Sequence, residues 1–135
     1  IDIEEKQQKI PELKFPLKIE MSTILFDEAI EDMDIVSDSV SLIAESNKLL
    51  IQAESNLSEG LVEIKHSEDS AIKVDSKEKI RAKYSIEYLK KMIKGSKLAD
   101  RVILQFNKDY PLKMEYKVID KLDLMFILAP RVENF

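Results

Sequence analysis

The chain states one plan twice. Residues 19–67, IEMSTILFDEAIEDMDIVSDSVSLIAESNKLLIQAESNLSEGLVEIKHS, read as strand, helix and three strands, and the stretch from Lys79 to Leu128 reads the same way. Each helix opens on a serine that follows a short apolar strand, and these two residues, Ser22 and Ser85, stand 63 positions apart (85 − 22). A serine there offers its hydroxyl oxygen to the unpaired amides of the first helical turn. A strand with one apolar face needs a cover, and each helix supplies one apolar stripe. The expected class is therefore α+β: a duplicated βαβββ unit with both helices side by side on one face of an antiparallel sheet. Their polar faces would then form one common surface, the first that a large partner meets.

The elements follow from periodicity and turn chemistry. Ile1–Glu12, IDIEEKQQKIPE, is charged, rich in Gln and interrupted by Pro11, as an exposed leader or linker would be. Leu13–Glu20 alternates as a strand, with Pro16 marking an edge or bulge. A first helix over about Thr23–Val36 turns Leu25, Ala29, Met33 and Val36 inward, backed by Phe26 and Ile30. Strands are expected near Ser39–Glu45, Leu49–Glu54 and Leu61–His66, then a polar loop over Ser67–Lys77. The second unit begins at Lys79–Tyr84. Its helix runs from about Ile86 to Leu98 with Ile86, Leu89 and Ile93 inward, and Gly95 weakens its last turn. Strands near Arg101–Phe106, Leu112–Val118 and Leu122–Leu128 complete it, and the rigid Leu128-Ala129-Pro130 segment leads out.

Several function classes fall away on composition. The 135 residues suit a single domain with its own core, and 44% apolar against 35% charged residues argues against wholesale disorder. No window approaches the roughly 18 consecutive apolar residues of a membrane helix. Without Cys there are no disulfides and no thiolate metal sites, which favours a cytosolic setting. His66 has no second His or Cys to complete a metal set, and Gly60 and Gly95 are too few and too far apart to cradle a phosphate. Asp27 and Glu31 share a helix face at i, i+4 spacing, but solvation explains a carboxylate-rich face without a metal. The expectation is a protein with no catalytic residues, no metal and no cofactor.

The charges point to binding instead. On the second helix Lys90, Lys94 and Lys97 follow a four-then-three spacing with Lys91 alongside, which makes one basic stripe. Such a stripe fits a phosphate backbone, held without reading sequence. It equally fits two solvated helix faces of opposite charge, since Asp27, Glu28, Glu31, Asp32 and Asp34 crowd the first helix. A net charge of −5 restricts any DNA contact to something local and weak.

Two segments, SIEYLKKMIKGSKLADRVILQFNKDYPLKMEY and LMFILAPRVE, resemble the carboxyl-terminal domain of the DNA sliding clamp family, proliferating cell nuclear antigen, in an archaeal form. Upstream, IDIEEKQQKIPELKFPLKIEMS resembles that family's interdomain connecting loop running into the domain's first strand. The resemblance implies a connecting loop over 1–12 and a carboxyl-terminal clamp domain over 13–135. In the family two such domains form a subunit and three subunits close around duplex DNA, so this chain is expected to be part of a ring-forming subunit. It also implies that Lys94 faces the DNA, and helical spacing sets Lys90, Lys91 and Lys97 beside it on the stripe. Glu28, Glu31 and Glu87 depart from the pattern, because they stand where related clamps carry basic residues.

Two further surfaces follow from the same resemblance. Ile10, Pro11, Pro111, Ile127, Leu128, Ala129, Pro130 and Arg131 would line a pocket for short docking peptides that present a Gln and an aromatic-aliphatic plug. The strand of Leu61, Val62, Glu63, Ile64, Lys65 and His66 would pair with a neighbouring subunit. The implied partners are duplex DNA, DNA polymerase, clamp loader, flap endonuclease, DNA ligase and other clamp subunits in a homo- or heterotrimer, with no membrane. The implied location is cytoplasmic, at the nucleoid. The alternative is a stand-alone peptide-binding module that never encircles DNA.

Overall fold

The computed structural model describes residues 14–94, 97, 99–117 and 123–131. Strand β1 (Leu17–Ser22) leads into helix α1 (Thr23–Asp34), followed by β2 (Ser39–Glu45), β3 (Lys48–Glu54), β4 (Glu59–Lys65) and β5 (Ala71–Val74). Strand β6 (Ile80–Ser85) leads into α2 (Ile86–Ile93), followed by β7 (Arg101–Gln105), β8 (Leu112–Lys117) and β9 (Asp123–Leu128). Both helices start at the expected residues. Ser22 and Ser85 are the N-caps, and their hydroxyl oxygens accept from the Leu25 and Tyr88 amides at 3.4 and 3.5 Å.

The α+β class and the duplication are present, but the strands divide between two antiparallel sheets rather than one. Their orders are β5-β1-β7-β8-β9 and β4-β3-β2-β6. The two units trade their first strands. Strand β1 pairs with β7 of the second unit, Met21 opposite Val102, while β6 pairs with β2 of the first, Ala82 opposite Leu42. Each helix start is hydrogen-bonded across the same exchange: the Thr23 amide donates to the Asp100 carbonyl at 2.9 Å and the Ile86 amide to the Asp38 carbonyl at 3.0 Å. The fold thus has an approximate internal twofold that matches β1 with β6, β7 with β2, β8 with β3 and β9 with β4.

Alternation along the strands sends one face inward. Leu17, Ile19 and Met21 on β1, Leu49, Ile51 and Ala53 on β3, Ile80, Ala82 and Tyr84 on β6, and Leu112, Met114 and Tyr116 on β8 are all buried. They join Phe26, Ala29, Ile30 and Met33 of α1 and Ile86, Leu89 and Met92 of α2 in one cluster. Leu25 was expected in this core and is instead exposed, because the inward stripe of α1 is centred on Phe26, Ala29, Ile30 and Met33 and leaves it on the flank. The supposed polar loop contains β5, whose Ile72 pairs with Ile19 of β1. Helix α1 stops at Asp34 and α2 at Ile93, earlier than their periodicity suggested.

Candidate functional site

The two helices pack beside each other and turn their polar residues to one surface. On α1 this surface holds Ile24, Leu25, Glu28, Glu31, Asp32 and Asp34; on α2 it holds Glu87, Tyr88, Lys90 and Lys91. All four lysines of the expected stripe are exposed, yet only Lys90 and Lys91 stand on the helix proper. Lys94 is the C-cap of α2 and Lys97 lies beyond it.

Their environments differ. The Lys90 ammonium donates to Asp34 Oδ2 at 2.8 Å, an ion pair that spans the two helices. The Asp34 carboxylate, first through this hydrogen bond and then through its charge, holds the Lys90 ammonium above the ordinary lysine range, and Glu31 adds to the effect. Lys91 lies over the Tyr88 ring, 5.2 Å from its centre, a cation–π contact. Among the described residues, no carboxylate lies within salt-bridge distance of Lys94 or Lys97. The arrangement presents positive charge from α2 and its cap beside the acidic face of α1. It suits loose, non-specific contact with a polyanion better than tight binding.

The expected docking residues gather at the far end of the β8–β9 pair. Pro111 precedes β8, and the register places Leu112 opposite Leu128 and Lys113 opposite Ile127. Ile127 points away from the core, 41% exposed, whereas Leu128 packs against the core cluster. Ala129 is exposed and Pro130 half-buried. The Arg131 amide donates to the Lys83 carbonyl at 2.7 Å and its guanidinium pairs with Asp38 at 3.2 Å, so the chain leaves β9 by crossing onto β6. Ile10 and Pro11 lie outside the described residues. Met125 was not anticipated: two residues before Ile127, it shares the outward face and is 57% exposed. Period-two alternation counted back from Ile127 would have found it.

The expected edge strand is an edge. Strand β4 pairs only with β3 and closes its sheet on that side. Leu61, Glu63 and Lys65 are exposed while Ile64 is buried and Val62 half-buried. His66 falls just past the strand, which ends at Lys65. Its amide still donates to the Asn47 carbonyl at 2.8 Å and its Nδ1 accepts the Ile72 amide at 3.0 Å, so His66 joins the end of the edge to the turn into β5. The internal twofold exposes a second terminal strand, β9, at the end of the other sheet.

Two antiparallel sheets, two helices side by side on one surface and a repeated strand–helix–strands unit define the class, a duplicated α+β domain. The chain belongs to the proliferating cell nuclear antigen family: the model of "Proliferating cell nuclear antigen, C-terminal domain" matches residues 9–131. It is 40% identical over 129 residues to the "DNA polymerase sliding clamp" of Nanoarchaeum equitans, covering 95% of this chain and 52% of that protein. It is 37% identical over 134 residues to "DNA polymerase sliding clamp 1" of Thermococcus kodakarensis, covering 99% of this chain and 54% of that protein. The clamp of Pyrococcus furiosus is 34% identical over the same length. The chain spans about half the length of the curated relatives it matches. Among the described residues no group of three or more His, Asp or Glu is placed to hold a metal ion, and no helix is long and apolar enough to cross a membrane.

Proposed function

We propose that this chain is the carboxyl-terminal domain of a DNA sliding clamp subunit, a non-enzymatic element of a ring that encircles duplex DNA and keeps a polymerase on it. The single observation that carries the reading is the shared helix surface with Lys90, Lys91, Lys94 and Lys97 exposed on it, in a chain of this family. Encirclement needs little affinity, so a surface of mixed charge is compatible with a ring that slides. In this reading Leu61, Val62, Glu63, Ile64, Lys65 and His66 belong to the edge that meets a neighbouring subunit. A neighbour's strand supplies there the hydrogen bonds that an exposed edge lacks. The setting is the cytoplasm, at the nucleoid.

The outer face docks partner enzymes. Ile127 and Ala129 offer apolar surface, Pro130 has no N–H and stiffens the exit, and the carbonyls beside it are acceptors for a Gln side chain. Ile10, Pro11, Pro111, Leu128 and Arg131 complete the surface. DNA polymerase, clamp loader, flap endonuclease and DNA ligase are the partners, each through a short peptide.

A backbone amide titration with a peptide carrying a Gln and an aromatic plug tests the docking reading. Saturable shifts at Ile127, Leu128, Ala129 and Arg131 are expected, together with Ile10. Their absence at millimolar peptide, both in this chain and in a chain extended to the relatives' full length, would sink it.

A further inference from the structure

The Asp34 carboxylate sits where its charge has a cost for α1. Asp34 is the last residue of that helix, and Glu31 and Asp32 precede it in a last turn with no basic residue. Carboxylates there oppose the helix dipole, whose carboxyl end is already negative. The compensating cation comes from α2: the Lys90 ammonium reaches across at 2.8 Å and lies within the field of Glu31 as well. A phosphate approaching the shared surface meets a lysine already paired with a carboxylate, whereas Lys94 and Lys97 have no such partner among the described residues.

We propose that Asp34 is an internal counter-ion that withholds Lys90 from DNA, leaving Lys91, Lys94 and Lys97 to make this chain's phosphate contacts. The inference rests on the reading of the helix surface as DNA-facing and adds to it a residue that sets how firmly the ring holds. To use Lys90, a phosphate must displace Asp34 and then lie beside the carboxylate it displaced. The effect is to lower the number of phosphates neutralised per subunit. That number is what fixes the salt dependence of binding, at about 0.9 in the slope of log K against log salt for each contact. A ring that must move along the duplex gains from holding fewer phosphates.

The test is the binding of this chain to a short blunt duplex, followed by fluorescence anisotropy at a series of salt concentrations. Asp34→Asn should steepen the salt slope by about 0.9, so that its advantage over wild type shrinks about fourfold between roughly 30 and 150 mM salt. Adding Lys90→Ala to Asp34→Asn should return the slope to the wild-type value. Asp34→Glu, which keeps a carboxylate within reach, should behave as wild type. Asp32→Asn removes the same charge from the same helix without touching Lys90, and should leave the slope unchanged. Circular dichroism shows that each variant is folded.

Equal steepening by Asp32→Asn and Asp34→Asn would overturn the counter-ion role, because net charge alone would then account for it. So would an unchanged slope in Asp34→Asn. Lys94→Ala separates that failure from a failure of the DNA-facing reading. If Lys94→Ala flattens the slope while Asp34→Asn does nothing, the surface faces DNA and Asp34 plays no part. If neither variant alters the slope, the DNA-facing reading falls and the counter-ion role with it.

Discussion

The hydroxyl of Thr23 donates to the Ala99 carbonyl at 3.1 Å and lies 3.2 Å from the Asp100 carbonyl, so the first residue of α1 is fastened to the two residues that lead into β7 of the second unit. The mirrored position at the start of α2 is Ile86, which repeats the backbone bond to Asp38 but has no hydroxyl. The two unit junctions are thus alike in backbone and unlike in side chain. Thr23→Val keeps shape and backbone bond and removes only the hydroxyl. It should destabilise the domain by about 1 kcal/mol, with the denaturant midpoint lowered and the slope of the transition unchanged.

Local chemistry made the helix starts legible. Ser22 and Ser85 announced themselves as caps because N-cap chemistry is written within a few residues. The exchange of first strands between units was not legible, since a strand's apolar alternation says which face is buried and not which strand lies beside it. Strand β5 was missed for a related reason. Ala71–Val74 is four residues flanked by Ser, Asp and Glu, and only its pairing with β1 makes it a strand. The lysine stripe was visible in the sequence, but the bond that occupies Lys90 joins residues 56 apart and required the helices to be placed.

Two buried tyrosines should respond differently to loss of their hydroxyls. Tyr84 donates to the Tyr110 carbonyl at 2.6 Å, linking β6 to the turn before β8. The Tyr116 hydroxyl is buried with no hydrogen-bond partner among the described residues. Tyr84→Phe should cost about 1–2 kcal/mol in urea unfolding, whereas Tyr116→Phe should be neutral or slightly stabilising. Equal losses would mean that the Tyr116 hydroxyl is satisfied in solution.

Alkali should unfold the domain through the same two side chains. Burial pushes both phenols above the ordinary tyrosine range, with Asp109 adding to the effect on Tyr84 and Asp27 on Tyr116. The unfolded chain therefore loses these protons first, from about pH 10, while the folded chain retains them. Stability from this source is fully present below about pH 10 and falls as pH rises beyond it. Urea midpoints measured between about pH 8 and 11 should be level and then decline. The decline should be shallower in the Tyr84→Phe, Tyr116→Phe double variant.

Gly60 sets how closely α1 lies on the edge strand. A Cβ there would come within 2.9 Å of Met33 Cε and 3.3 Å of both Met33 Sδ and Val36 Cγ2. The methionine end can swing aside for one carbon, so Gly60→Ala should cost little. Gly60→Val adds two more, on the half-buried Val36 side as well, and should cost about 1–3 kcal/mol. If β4 is the edge that meets a neighbouring subunit, the valine should also weaken association there. Sedimentation at falling concentration of a chain extended to the relatives' full length would show it, and unchanged dissociation would separate the edge from the interface.

The exit of β9 places two neighbouring residues in different roles. Ile127 is 41% exposed on the outer face, and Leu128 next to it packs on the core. If the outer face docks peptides, Ile127→Ala should weaken a Gln-plus-aromatic peptide about tenfold, the level of a contributing interface side chain, while barely moving the unfolding midpoint. Leu128→Ala should act on stability, because it opens space beneath the sheet. Met125, exposed on the same face two residues earlier, serves as the boundary marker. A loss in Met125→Ala as large as in Ile127→Ala would extend the docking surface along β9 towards Asp123. A loss confined to Ile127 would centre it on the segment that leads into Pro130. Peptide affinity unaffected by Ile127→Ala, with folding intact, would remove the outer face of β9 from the docking surface altogether.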